Sequence, residues 1–177
     1  FDVYDYQSVS IMPPDAYIAI CQCKLCAGKQ MDDMGARGKL SNHVWDFVNR
    51  VAREVGKTHP SKKIVCCAYG ANTNPPSNIK QLEPNVEVVI VGGRRPRNSL
   101  PEQRMPIQAL RSGWQEITDQ PILVFENYPF TARRSYLPAF VARTIGDSIN
   151  ATKGFSRGED IWLSFPRVHD DPNIGFN

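Results

Sequence analysis

Short apolar runs alternate along this chain with segments of helical period. Two of the runs, Val86–Val91 and Ile122–Phe125, are rich in aliphatic residues and show no regular alternation of polar and apolar positions. Such strands are typical of a parallel sheet that is buried on both faces. The order of the segments therefore predicts an α/β fold. The predicted strands are Val3–Ile11, Ile64–Tyr69, Val86–Val91, Ile122–Phe125 and a weaker run that begins near Gly154.

The helical spacing of apolar residues predicts the helices that connect these strands. Ser41 or Asn42 is the candidate N-cap of the first helix, because a short polar side chain there satisfies backbone N–H groups. The segment Asn72–Pro84 contains three prolines and is predicted to be a long loop rather than a helix. The predicted helices are Asn42–Lys57, Pro106–Ile117 and Pro138–Ile149.

The alternation of strands and helices matches a (β/α)8 barrel, which needs about 250 residues. With 177 residues, the chain is predicted to be a single domain over residues 1–177 and a TIM-barrel-like fragment of a larger barrel. An open doubly wound α/β sheet is the alternative. Such a sheet usually carries a glycine-rich phosphate loop, and neither G-x-G-x-x-G nor G-x-x-x-x-G-K-[ST] occurs in the sequence.

The composition excludes several classes of protein. Apolar residues make up 41% and charged residues 22%, which supports a buried core and argues against disorder. The 21 basic residues exceed the 18 acidic ones by too little to predict a nucleic-acid partner on charge. No apolar run in the sequence approaches the roughly 18 residues that a membrane-spanning helix needs.

Three carboxylates follow predicted strands, where α/β proteins collect their functional side chains. They are Asp15, Glu126 and Glu159. Two carboxylates across a sugar ring are what glycosidic cleavage usually requires, one as general acid and one as nucleophile or base. These residues are therefore the candidate catalytic groups, although strand ends also carry acidic residues by chance.

Further side chains near the same strand ends suit a sugar ligand. Tyr69, Tyr128 and Trp162 are candidates for stacking on sugar rings, the alternative being ordinary packing. Arg94 and Arg95 are candidates for holding an acidic substituent, since guanidinium groups match carboxylates, the alternative being a solvated loop.

Three of the five cysteines form the cluster Cys21, Cys23 and Cys26. The spacing Cys-x-Cys-x-x-Cys is compatible with a structural zinc site, in which His43 or a distant residue would complete the tetrahedron. A disulfide within the cluster, or to another part of the protein, is equally compatible. The remaining two cysteines are adjacent in a predicted strand and are expected to be small core residues.

These motifs together resemble the bacterial domain of unknown function 4838, which occurs in large secreted proteins beside an N-terminal domain of the α-glucuronidase type. The resemblance covers most of the chain and weakens after about Tyr136. Its most specific part is the cysteine cluster followed by the helix Val44–Ala52. The other matching phrases are Asp15, His59–Ile64, Ala68-Tyr69, Pro75-Pro76, Pro84–Val86, Gly113-Trp114 and Glu126–Tyr128.

The resemblance implies a glycoside-hydrolase-like barrel and an extracytoplasmic location for the parent protein. The resulting function prediction is a fragment of a carbohydrate-active, α-glucuronidase-like enzyme that hydrolyses glycosidic bonds of a polysaccharide. Its expected partners are an oligosaccharide or polysaccharide substrate and the remainder of the parent chain. The alternatives are a barrel that binds glycans without cutting them and a domain whose cysteine cluster serves only as a zinc or disulfide staple.

Overall fold

The computed structural model describes residues 1–92, 101–127 and 142–162. None of the helices in this part of the chain has the length and apolar character that crossing a membrane requires. The strands are β1 (Ser8–Ser10), β2 (Lys63–Ala68), β3 (Val86–Gly92), β4 (Ile122–Asn127) and β5 (Ser156–Trp162). The helices are α1 (Ser41–Thr58), α2 (Pro101–Gln115) and α3 (Ala142–Thr152).

The five strands form one parallel sheet in the order β1-β2-β3-β4-β5, so each strand lies beside its predecessor in the chain. Strands and helices alternate along the chain, which confirms the predicted α/β class. The register places Cys66 opposite Val88, Ile90 opposite Val124, and Val124 opposite Glu159. Since side chains alternate along a strand, these residues share one face of the sheet.

Helices α2 and α3 cover that face. Arg111 of α2 contacts Glu126 of β4, and Ser148 of α3 contacts Glu159 of β5. Glu126 lies two residues after Val124, so it points to the same side as Val124 and Glu159. Both helices therefore pack on the same side of the sheet.

Helix α1 lies on this side as well. Trp45 of α1 and Trp114 of α2 are both fully buried, with ring centroids 4.5 Å apart. Their indole N–H groups donate to the backbone carbonyls of Asn72 and Thr73 at 3.0 and 2.9 Å. The loop between β2 and β3 thus closes the core above the two tryptophans, and the predicted loop over Asn72–Pro84 is confirmed.

A five-strand parallel sheet is compatible with both a partial barrel and a doubly wound sheet. The placement of the helices on one side of this sheet favours the partial barrel. Right-handed connections between consecutive neighbouring strands keep all helices on one face. A doubly wound sheet instead reverses its strand order and carries helices on both faces. The opposite face carries the half-buried side chains of Val65, Cys67, Val91, Leu123 and Phe125, and in a barrel this face lines the interior.

Strand β1 is much shorter than the predicted Val3–Ile11. It has three residues, all exposed, and among the described strands it pairs only with β2. Before it, the N–H of Tyr6 donates to the carbonyl of Tyr4 at 2.8 Å instead of to a neighbouring strand. The apolar pattern in this segment therefore does not extend the sheet.

Two helix starts also differ from the prediction. Ser41 and Asn42 do not cap α1, since Ser41 donates to the Asn74 carbonyl at 2.6 Å and Asn42 accepts from the Ser77 N–H at 2.8 Å. Both side chains hold the β2–β3 loop instead. Helix α2 begins at Pro101, so Pro106 lies inside it, where it removes one N–H from the helix.

Candidate functional site

The carboxyl edge of the sheet is formed by the loops that follow the strands. Residues 11–40, here called the β1–α1 loop, and the loop after β2 belong to the described residues. Trp162 is the last residue of β5, in register with Asn127 at the end of β4. The predicted ligand residues Arg94, Arg95 and Tyr128 lie outside the described residues.

Asp15 lies at the tip of a tight turn in the β1–α1 loop. The N–H of Tyr17 donates to the Pro14 carbonyl at 3.2 Å, which closes the turn around Asp15 and Ala16. Ala16 has φ = 60°, a conformation that a turn of this kind normally reserves for glycine. Residues held in such conformations cluster at functional sites. The Asp15 side chain is exposed, so the turn presents a carboxylate to solvent.

Tyr69 occupies the neighbouring position along the edge. It directly follows β2, and its side chain is 50% exposed. Because β1 and β2 are adjacent in the sheet, the loops that carry Asp15 and Tyr69 start side by side. Of the predicted site residues whose side chains are described, only these two and the cysteine pair Cys21 and Cys23 are exposed.

Glu126 lies on the helix-facing side of the sheet. It is 1% exposed, and Arg111, which is 3% exposed, donates to its carboxylate at 2.8 Å. The end of β3 leaves room for it, because a Cβ added to Gly92 would lie 2.7 Å from the Glu126 Oε2. The pair is built into the packing of α2 on the sheet, and a catalytic role for Glu126 stays a prediction.

Glu159 lies within β5 rather than after it, contrary to the sequence prediction. It accepts hydrogen bonds from Ser148 and Thr152 of α3 at 3.2 and 3.5 Å. Glu159 and Glu126 therefore share the helix-facing side, while Asp15 follows a strand at the far edge of the sheet. The structure does not bring the three carboxylates together at one cleft.

Cys21, Cys23 and Cys26 form a compact cluster in the β1–α1 loop. Their sulfur atoms all lie within 4.8 Å of one another, and the Cys21 and Cys23 sulfurs are 3.2 Å apart. The turn is held by the N–H groups of Cys26 and Ala27, which both donate to the Cys23 carbonyl at 2.9 Å. Cys26 is half-buried against the core, whereas the other two are exposed. The arrangement is one that could hold a metal ion.

The thiols of Cys23 and Cys26 do not ionise alike. Hydrogen bonding from Cys21 lowers the pKa of Cys23 to about 7, whereas hydrogen bonds to Cys21 and Cys23 raise the pKa of Cys26 to about 11. A first thiolate is thus stabilised by its neighbours' S–H donors. Among the described residues, His43 is not part of the group of mutually close ligand atoms, so the predicted fourth ligand is not found there.

Cys66 and Cys67 are expected to react with iodoacetamide at pH 8 at least about 100-fold more slowly than Cys23 in the folded, metal-free protein. Burial raises their pKa values to about 12 and about 11, so they hold little of the reactive thiolate at this pH. Mass spectrometry of timed samples measures the rates, and unfolding in urea should equalise them. Equal rates in the folded protein would show that the strand is not packed as described.

Sequence reasoning missed the buried pair of Arg111 and Glu126. The signal was present, because Arg111 falls at helical spacing between Ile107 and Trp114 on the apolar stripe of α2. A charged residue on such a stripe requires a partner on the facing element.

Comparison with known proteins places the chain in a family. The model of a family described as Domain of unknown function (DUF4838) matches residues 4–155. The matched range includes Asp15, the cysteine cluster and Glu126, and it ends before Glu159 and Trp162. No curated protein and no solved structure matches the chain.

Proposed function

We propose that this chain, which belongs to the DUF4838 family, is part of a glycoside-hydrolase-like barrel that acts on polysaccharide glycosidic bonds outside the cytoplasm. The observation that carries the proposal is the exposed Asp15 on a strained turn, at the carboxyl edge of a sheet wound as in a barrel. In barrels of this type the active site is built from the loops at that edge.

Asp15 is assigned the role of general acid in this proposal. A carboxyl group at the rim of a cleft can protonate the leaving oxygen of a glycosidic bond. Its partner carboxylate must come from another strand end, facing the same cleft. Since Glu126 and Glu159 both contact helix residues, the proposal favours a carboxylate from the remaining strands of the parent chain.

The substrate is proposed to be a polysaccharide with acidic sugars. Tyr69 is exposed beside the Asp15 loop and offers an aromatic surface for a sugar ring. Arg94 and Arg95 stay the predicted ligands of the acidic substituent, and Tyr128 and Trp162 stay the predicted stacking residues. The proposal is supported by the architecture and by what the resemblance to the family implies, and it assigns no particular linkage.

The test is incubation of the full-length protein with polysaccharides that contain uronic acids, with reducing ends and released oligosaccharides measured over time. The proposal expects product that grows with enzyme concentration. Equilibrium binding to the same glycans with no product on prolonged incubation would instead support the non-catalytic, glycan-binding alternative. If neither binding nor product is detected, carbohydrate is ruled out as the ligand.

A second proposal concerns the cysteine cluster, because its three sulfur atoms already lie within 4.8 Å of one another. We propose that Cys21, Cys23 and Cys26 hold a structural zinc ion as thiolates. The fourth ligand is either water or a residue beyond those described. Outside the cytoplasm a pair of exposed free thiols is readily oxidised. Zinc binding would protect the exposed Cys21 and Cys23 from that oxidation.

Metal analysis of the purified protein tests the second proposal. We expect one zinc per chain, lost in Cys26→Ser and retained in Cys67→Ser, whose cysteine lies outside the cluster. Purified protein without zinc and with the cluster thiols oxidised would show that they form a disulfide instead.

A further inference from the structure

The end of the β1–α1 loop is fastened to the β2–β3 loop at the carboxyl edge of the sheet. The N–H of Leu40 donates to the Ala71 carbonyl at 3.0 Å. In the opposite direction, the N–H of Asn74 donates to the Arg37 carbonyl at 2.9 Å. The two loops therefore form one unit, in which each loop limits the movement of the other.

Arg37 lies in a tight turn of this unit whose backbone has little freedom. The N–H groups of Gly38 and Lys39 both donate to the Gly35 carbonyl, at 3.0 and 2.9 Å. Gly35 has φ = 69°, a conformation that glycine adopts without strain. Gly38 is buried, and a Cβ added to it would lie 2.7 Å from the Met34 carbonyl oxygen. The close packing around Gly38 thus holds the backbone of Arg37 in place.

The side chain of Arg37 is exposed. It forms no salt bridge with any residue that the structure describes, although Asp32 and Asp33 belong to the same loop. By contrast, the exposed Arg50 of α1 pairs with Asp46 at 3.1 Å. An arginine with a fixed backbone and no carboxylate partner among the described residues is suited to bind a carboxylate from outside the chain, through two parallel hydrogen bonds.

Tyr69 belongs to the same unit. It precedes a turn that the N–H of Asn72 closes by donating to the Tyr69 carbonyl at 3.2 Å. Within this turn, the Ala71 carbonyl accepts the hydrogen bond from Leu40. The loops that carry the exposed ring of Tyr69 and the exposed guanidinium of Arg37 are thus bonded to each other within three residues of both side chains.

We propose that Arg37 binds a carboxylate of the acidic polysaccharide, in the same ligand site as Tyr69, and so selects acidic over neutral glycans. This inference rests on the carbohydrate substrate proposed above and names a residue that recognises its acidic group. An aromatic ring offers contact to any sugar, whereas a guanidinium distinguishes sugars by charge. Arg37 acts in addition to the predicted ligands Arg94 and Arg95.

The dissociation constant of the full-length protein for an oligosaccharide that carries glucuronic acid tests this assignment. The matched probe is the same oligosaccharide with its carboxyl groups reduced to alcohols. We expect Arg37→Gln to bind the acidic oligosaccharide at least about tenfold more weakly, and to bind the reduced one as the unchanged protein does. Arg50→Gln, which also removes an exposed arginine, should bind both oligosaccharides as the unchanged protein does.

The outcomes separate this inference from the proposed function. If the unchanged protein does not bind the acidic oligosaccharide, the proposed acidic substrate is wrong, and the role of Arg37 with it. If the unchanged protein binds it and Arg37→Gln binds it equally well, the role of Arg37 alone is overturned. An equal loss of binding for both oligosaccharides in Arg37→Gln would also overturn that role, because Arg37 would then not recognise the carboxylate.

Discussion

Replacement of Arg111 by methionine is expected to lower the free energy of unfolding by about 3–5 kcal/mol. The substitution removes the guanidinium that accompanies the Glu126 carboxylate, while that carboxylate remains at 1% exposure between α2 and the sheet. Methionine fills much of the same volume, so the loss reflects charge rather than a cavity. Urea titration followed by tryptophan fluorescence and circular dichroism measures it.

Two control variants test whether the loss of stability comes from the buried charge. Arg50→Met removes an exposed arginine that pairs with Asp46 at 3.1 Å, and it should change stability by no more than about 0.5 kcal/mol. The double variant Arg111→Met with Glu126→Leu should recover much of the loss, because both charges leave the interior together. An Arg111→Met protein as stable as the unchanged one would contradict the buried pair.

A second measurement distinguishes a structural role of Glu126 in this pair from a catalytic one. The packing predicts that Glu126→Gln lowers stability, whereas a catalytic role predicts loss of turnover in protein that remains folded. Turnover per folded molecule therefore separates the two. If it is unchanged in Glu126→Gln, Glu126 has no part in the reaction.

Asp15→Asn is expected to lower kcat on a polysaccharide substrate by about 10²–10⁴-fold, with a much smaller change in KM. Asparagine keeps the size and polarity of the side chain but cannot deliver a proton to the leaving group. The turn should survive, because asparagine is as well tolerated as aspartate in turns. Unfolding midpoints should therefore match.

Asp33→Asn is the matched control, since Asp33 is an exposed aspartate of the same loop. It should retain the original kcat. If Asp15→Asn also retained it, the general acid would have to be sought at another strand end.

The parallel α/β fold was predictable because β2, β3 and β4 are buried on the helix-facing side and mostly half-buried on the other, so both sides of these strands carry mostly apolar residues. The length of β1 was not predictable. Apolar residues such as Val3, Tyr4 and Tyr6 mark a strand only when a neighbouring strand pairs with them, and all three are exposed here. Local pattern cannot supply that pairing.

The site was predictable only in part, for a related physical reason. Asp15 and the cysteine cluster belong to one continuous segment, so their placement in the same loop follows from spacing along the chain. Glu126 directly follows the run Ile122–Phe125, whose residues are apolar on both faces of the strand. Without alternation the sequence does not show which face Glu126 takes. For Glu159, a register shift between β4 and β5 beside Ile122 and Leu123 further obscures the position along the strand.

Exchange footprinting of the full-length protein with a uronic-acid oligosaccharide tests most directly whether ligand binds at the carboxyl edge of the sheet. We expect protection in residues 12–30 and around Tyr69, with α1 and α3 unaffected. Protection confined to the helices, or to the opposite edge of the sheet, would contradict a sugar site built around Asp15.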